Sequence, residues 1–345
     1  MVQGGALIGQ GAFGCVFDTL PSCSKRSRTI KSGRFSAEKR QTRRVAKILR
    51  ADSPAAKHEI DNSKYLSRLP NYDDYFVLIE DFCVTNDITS DPDWETCSLL
   101  NPGQRRQPTF VQLRMSYGGI RLSEYARDLD HLLENWVAIQ IHVAEAVQML
   151  HNRGWVHGDL HFGNILVDTK NVARLTDFGL SYHIKEIKEK DVINLTFLPK
   201  YDNYAPELDY VAGIRKGLTS REAIDSIFNN KSILDEIDEM FPSIKTAKQK
   251  FEQFASLNTP RSNSEVVDYL VKYVRASDIW CLGFDLFSLY KLMISNEEIL
   301  SSWFYRKHHR TQMGILEGLL HPDPRRRFNA EQLLTELYTL RMDSV

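Results

Sequence analysis

Gly9-Gln10-Gly11-Ala12-Phe13-Gly14-Cys15-Val16 is a G-x-G-x-x-G-x-V run. Its glycines let backbone amides approach phosphate oxygens with no side chain in the way. A tight hairpin fits the same pattern, and so does a dinucleotide-binding turn that opens a helix. Here Val16 and Phe17 continue as strand-formers instead. The second candidate is Lys47 in Val45-Ala46-Lys47-Ile48-Leu49. If that ammonium is buried, it must be paired or bound to an anion. The nearest carboxylate on the element that follows is Glu59. The competing reading is an edge-strand lysine with its charge in water. The third stretch is Val156-His157-Gly158-Asp159-Leu160-His161-Phe162-Gly163-Asn164-Ile165-Leu166, with Asp177-Phe178-Gly179 beginning thirteen residues after Asn164. Asp, Asn and Asp in loops beside apolar strands can hold a divalent cation through hard oxygen ligands. They also leave one carboxylate for a substrate hydroxyl.

These residues need elements to position them. Residues 5–17 read as strand, glycine turn, strand, and 44–49 as a buried strand. Asp52-Ser53-Pro54 announces a helix, with Ser53 as cap and Pro54 in the first turn. Residues 75–83 and 109–115 suggest further strands, separated by a polar loop over 86–108. Gly118-Gly119 marks a break, after which the chain turns helical. Trp136 to Leu150 carries apolar residues at helical spacing. Residues 155–180 hold two short strands, and 209–276 several short helices. The last part of the chain forms helices around Trp280, Leu289, Leu316 and Leu334.

The chain has 345 residues, 42% hydrophobic and 26% charged, with a formal net charge of −1. Those figures exclude a collagenous, disulfide-dense or wholly disordered chain. The balanced charge argues against nucleic acid as the main partner. Only residues 18–44, with nine basic and two acidic residues, offer such a contact, or an acidic-substrate or import-receptor contact through Lys39-Arg40 and Arg43-Arg44. That segment is read as an exposed extension between strands. No apolar run is long enough to span a membrane, and the N-terminus lacks signal-peptide features. Cys15, Cys23, Cys83, Cys97 and Cys281 are odd in number and widely spaced, and are read as free thiols in a reducing compartment. The expected location is therefore intracellular, cytoplasmic or nuclear, in a host cell if the chain is viral.

With these motifs in this order, the chain resembles the eukaryotic-type protein kinase family over almost its whole length. Tyr204-Ala205-Pro206-Glu207, Asp278-Ile279-Trp280-Cys281-Leu282-Gly283 and Asp323-Pro324-Arg325-Arg326-Arg327 match later family motifs, and a Glu207–Arg327 ion pair is expected. The resemblance implies a bilobal α+β fold. A small five-stranded antiparallel N-lobe with one key helix would span 1–117, a helical C-lobe 118–345, and Mg-ATP would bind in the cleft. It implies that Gly9, Gln10, Gly11, Ala12, Phe13, Gly14 and Cys15 cover the ATP phosphates and that Lys47 holds them, fixed by Glu59. Val16, Ala46 and Leu166 would sandwich the adenine. Met115 would guard the pocket, with Ser116, Tyr117 and Gly118 as hinge. Asp159 would be the catalytic base, and Asn164 and Asp177 the Mg²⁺ ligands. The partner implied is a protein substrate, by default a Ser/Thr hydroxyl. Locally, Glu59-Ile60, Tyr117-Gly118-Gly119-Ile120 and Asp159-Leu160-His161-Phe162-Gly163-Asn164 are similar to haspin-like kinases, and compact kinases of large DNA viruses combine such features.

The chain also departs from the family pattern. Gly158 replaces the usual arginine before the catalytic aspartate. An activation-loop phosphate then lacks a common anchor, so activity independent of phosphorylation over 180–203 is expected. His161 stands where a lysine usually faces the γ-phosphate; it is either a protonated substitute or a locally hydrogen-bonded ring. Lys200 stands where a threonine often precedes A-P-E. About 70 residues separate Glu207 from Asp278, and the excess, 209–273, is read as a helical insertion, either an appendage or a partner surface. A small-molecule phosphotransferase and a catalytically silent binding module are the alternatives to a protein kinase.

Overall fold

The computed structural model describes residues 7–10, 14–18, 20–24, 27–30, 43–85, 97, 109–189, 195–241, 243–244 and 246–342. The chain divides into two compact units. One comprises Met1–Ile120 with Leu166–Thr169 and Arg174–Ser181. The other comprises Arg121–Ile165 with Lys170–Ala173 and Tyr182–Val345.

The first unit is built on an antiparallel sheet. Its strands are β1 (Leu7–Gln10), β2 (Gly14–Phe17), β3 (Arg28–Thr29), β4 (Arg44–Arg50), β5 (Asp81–Thr85) and β6 (Phe110–Ser116), in the order β1-β2-β4-β6-β5-β3. Five strands were expected. The sixth, β3, comes from the basic segment, where Arg28 and Thr29 pair with Phe82 and Asp81. Two of that segment's arginines are also occupied within the unit. Arg44 lies 2.6 Å from Asp81, and Arg43 donates to Asp18 at 3.1 Å and covers the Tyr117 ring. Lys39 and Arg40 lie outside the described residues.

Alternation along β4 sorts the core into two faces. Val45 and Leu49 pack with Ala56 and Ile60 of α1 (Pro54–Leu66) and with Leu113 and Met115 of β6. Ala46 and Ile48 face the other way, against Cys15, Phe17, Cys97 and Phe110. Pro54 opens α1 as expected, but the Ser53 side chain makes no capping bond.

The cysteine reading is overturned. Cys15–Cys97 and Cys23–Cys83 are disulfides, closing separations of 82 and 60 residues. Spacing hides such pairs because the sheet creates them. Cys15 and Cys97 meet on its outer face, and Cys83 lies on β5, the strand that pairs with β3. The inference of a reducing compartment loses its basis, and Cys281 remains as a free thiol.

Three short strands, β7 (Ile120–Arg121), β9 (Ile165–Val167) and β10 (Ala173–Leu175), form a sheet in the order β10-β9-β7. β8 (Trp155–Val156) pairs antiparallel with β11 (Tyr182–His183). Single turns α2 (Tyr72–Tyr75) and α3 (Leu122–Tyr125) precede the long α4 (Leu129–Asn152). The second unit continues through α5 (Pro206–Arg215), α6 (Ser220–Phe228), α7 (Ser232–Met240), α8 (Ala247–Leu257), α9 (Asn263–Ile294), α10 (Glu297–Ser301), α11 (Trp303–Leu319) and α12 (Ala330–Met342). Its core is closed around buried Trp136, Trp280 and Tyr290, with the Trp136 indole donating to Gln312 at 3.0 Å. α9 runs without interruption from the insertion into Asp278 and Trp280.

Candidate active site

In the first unit, β4 carries Lys47 into the layer between sheet and α1, where it is buried. Its Nζ lies 2.9 Å from Glu59 on α1 and 2.7 Å from Asp177. The edge-strand reading of Lys47 therefore fails. Burial by itself would pull the ammonium down, but Glu59 and Asp177 outweigh it and hold it above the ordinary lysine value. Burial lifts the Glu59 carboxyl against the pull of Lys47. Asp177 adopts a left-handed backbone, φ 61° and ψ 70°, rare for a residue with a side chain. α1 holds this turn from one face. Asn62 Nδ2 donates to the Phe178 and Ser181 carbonyls, both at 2.7 Å, and His58 Nδ1 lies 2.9 Å from the Gly179 carbonyl. Phe178 packs edge-on against Phe76. Sequence reasoning missed His58 and Asn62. Their signal was the spacing of four on the helix that already carried Glu59.

Strand register corrects part of the nucleotide-binding reading. Val16 is opposite Lys47 and Cys15 opposite Ile48. Directly opposed residues share a face, so Val16 lies on the Lys47 face. The side chains of Ala46 and Cys15 lie on the other, and Cys15 is spent on its disulfide. Val45, two residues before Lys47, lies on the Lys47 face instead. Val16, Leu166 and Tyr117 border the cluster that contains Val45 and Met115. Gly9, Gln10 and Gly14 flank the expected phosphate turn on β1 and β2; Gly11, Ala12 and Phe13 lie outside the described residues. Ser116 donates to Glu80 at 2.5 Å, and the Tyr117 amide is already bonded to the Arg43 carbonyl at 2.8 Å. Gly118 is needed for close approach, since a Cβ there would meet Val77 at 2.5 Å and Leu166 at 2.8 Å.

In the second unit, the loop after β8 gathers Asp159, His161 and Asn164. Asn164 Nδ2 donates to the Asp159 carbonyl at 2.8 Å and to its carboxylate at 3.3 Å. His161 Nδ1 accepts the Gly163 amide at 3.0 Å, and its Nε2 is 3.8 Å from Asp159 Oδ2. The ring is thus hydrogen-bonded locally within its own loop. The loop hangs from α9. Asp278 accepts the amides of His157 at 2.8 Å and Gly158 at 3.0 Å, and lies 3.1 Å from His151 Nε2. Gly158 has φ 76°, a left-handed conformation that glycine adopts without steric cost. Two turns further along α9, Asp285 takes the Phe162 amide; burial pushes its carboxyl up to about 8, against that bond.

Behind the loop, Glu207 and Arg327 form the expected ion pair, doubly bonded at 2.6 and 3.0 Å with both side chains fully enclosed. Arg327 also donates to the Ala276 and His321 carbonyls and stacks on Trp280.

A family profile described as "Protein tyrosine and serine/threonine kinase" matches residues 97–208. Over that stretch the chain is similar to the eukaryotic-type protein kinases. It is similar to a protein kinase and PP2C-like domain-containing protein of Arabidopsis thaliana, 36% identical over 29% of this chain and 16% of that protein. It is similar to the serine/threonine-protein kinase ppk31 of Schizosaccharomyces pombe, 33% identical over 28% of this chain and 11% of the relative. It is also similar to cell division control protein 7 of the same yeast, 27% identical over 55% of this chain and 14% of the relative. The chain thus spans between 11% and 16% of the length of these relatives. Its antiparallel first unit and helical second unit are the α+β organisation of the family.

Proposed function

We propose that the chain is an ATP-dependent protein kinase that transfers the γ-phosphoryl group to serine or threonine hydroxyls of a protein substrate. The observation that carries this reading is the buried Lys47 ammonium held between Glu59 and Asp177. A lysine kept charged in a low-dielectric layer is a fixed cation suited to phosphate oxygens. Asp177, with its side chain about a third exposed, and the oxygen of the Asn164 amide are hard donors of the kind Mg²⁺ takes. Mg²⁺ bound by either would neutralise charge on the phosphates. Asp159, with its side chain 43% exposed, orients the substrate hydroxyl and accepts its proton. Lys47 holds the phosphates, and Glu59 keeps Lys47 extended. Phosphoryl transfer asks for little covalent help from the protein, so placement and charge carry the rate. The serine/threonine preference draws on the names of the relatives.

The test is incubation of the purified chain with radiolabelled Mg-ATP and a proteome extract, with aminoglycosides and sugars as competing acceptors, followed by mapping of labelled residues. Label on Ser and Thr is expected. Asp159→Asn should fold normally and lose roughly 10²–10³ in rate, the scale of removing one such group. Label confined to small molecules, or a fully active Asp159→Asn protein, would end this reading.

A further inference from the structure

The helical insertion places a lysine in the interior that the mechanism above does not use. Lys231 directly precedes α7, and its side chain and that of Asp209 are both fully enclosed, 2.8 Å apart. The Lys231 ammonium also donates to the Tyr201 carbonyl. Asp209 takes the Leu198 amide at 2.6 Å. The next two residues of the insertion continue the pattern. Ser232 Oγ and the Ile233 amide both donate to the Asp202 carboxylate, at 2.7 and 3.1 Å. From α9, Trp280 Nε1 donates to the Asp202 carbonyl and Cys281 Sγ to the Asn203 carbonyl. The segment Leu198–Asn203 is thus tied at 198, 201, 202 and 203. Its apolar side chains face water, Leu198 at 37% and Tyr201 at 66% exposure.

Burying a lysine and an aspartate costs several kcal/mol per ion before pairing. Here both ends of the pair reach past each other to backbone groups of one short segment, so the pair fixes that segment's conformation. We propose that Lys231, acting with Asp209, is a positioning residue that holds Leu198–Asn203 as a preformed ledge for the protein substrate. The insertion then supplies, as a permanent internal cation, the order that a phosphate on this segment would otherwise provide. Gly158, with no side chain to anchor such a phosphate, is consistent with that division of labour. This inference rests on the protein-kinase reading.

Lys231→Met alone strands a buried carboxylate and endangers folding. The deciding variant is Lys231→Met/Asp209→Asn, which removes both charges and keeps an acceptor for Leu198. Its thermal unfolding, amide hydrogen exchange over 197–204, and KM for protein substrate and for ATP are compared with wild type. A folded double variant should exchange about tenfold faster over 197–204, the scale of losing one net hydrogen bond. Its protein-substrate KM should rise by a similar factor while the KM for ATP stays unchanged. Wild-type exchange and wild-type KM in the folded double variant would overturn the proposal. A rise in both KM values together would also overturn it, as a general structural effect. If the wild-type chain phosphorylates no protein, the kinase reading fails while the exchange measurement still decides whether Lys231 orders the segment.

Discussion

Lys47 and Asp285 show what one buried ionisable group commits a protein to. Lys47 is stabilised as a cation only while Glu59 and Asp177 surround it. Lys47→Met therefore leaves Glu59 buried without its counter-charge. We expect roughly 10²–10³ lower phosphoryl transfer, read in the radiolabel assay, with a folded protein by circular dichroism. Asp285 carries the clearer pH signature. Its carboxyl moves from an ordinary 3.8 to about 8 on folding. Between those values the folded chain binds a proton that the unfolded chain has released, so this group's contribution to stability falls as pH rises from about 4 to about 8 and is flat above. Asp285→Asn keeps an acceptor for the Phe162 amide and removes the titration. Urea unfolding should show the variant gaining on wild type steadily between pH 5 and pH 8. A pH-independent difference would show that Asp285 does not titrate in this way.

At the scale of elements, the first unit is a sheet clamped by two cross-links that its strands bring together. Closing loops of 82 and 60 residues removes unfolded-state entropy, typically by about 2–4 kcal/mol per bond. Reducing agent should lower the denaturant midpoint of the wild type, and much less that of Cys15→Ser/Cys23→Ser. Equal sensitivity of the two would mean that the bonds do not stabilise the fold. The loop after β8 is an element shaped from outside, since Asp278 on α9 holds its backbone at His157 and Gly158. Installing the family's usual arginine by Gly158→Arg forces a side chain onto φ 76°. We expect a loss of about 1–2 kcal/mol in denaturant unfolding, without gain of activity. The motifs of this loop were legible because they are contiguous. The face assignment along β4 was not, because the glycine loop and the lysine strand had to be registered first, and register placed Val45 rather than Ala46 beside Val16.

For the molecule as a whole, the second unit is organised by enclosed polar pairs that join distant parts of the chain. Glu207–Arg327 spans 120 positions and has both partners at zero exposure. Arg327→Met should cost about 3–5 kcal/mol in thermal unfolding, because it leaves Glu207 buried and unpaired, and Glu207→Leu in the same chain should restore much of it. A single variant as stable as wild type would show that the pair is dispensable. The insertion is integrated in the same manner. Its end is the start of α9 and its Lys231 reaches the segment before Ala205.

The sequence by itself carried the kinase-like motifs in their order, and even one remote ion pair. Those follow from local residue type and from spacing that a folded chain cannot alter. Only the tertiary structure decided which cysteines are joined, which side of β4 faces Lys47, that His161 is bonded to Gly163, and that Lys231 is interior. Each of these depends on which segments pack against one another, and packing brings together residues that no local pattern relates.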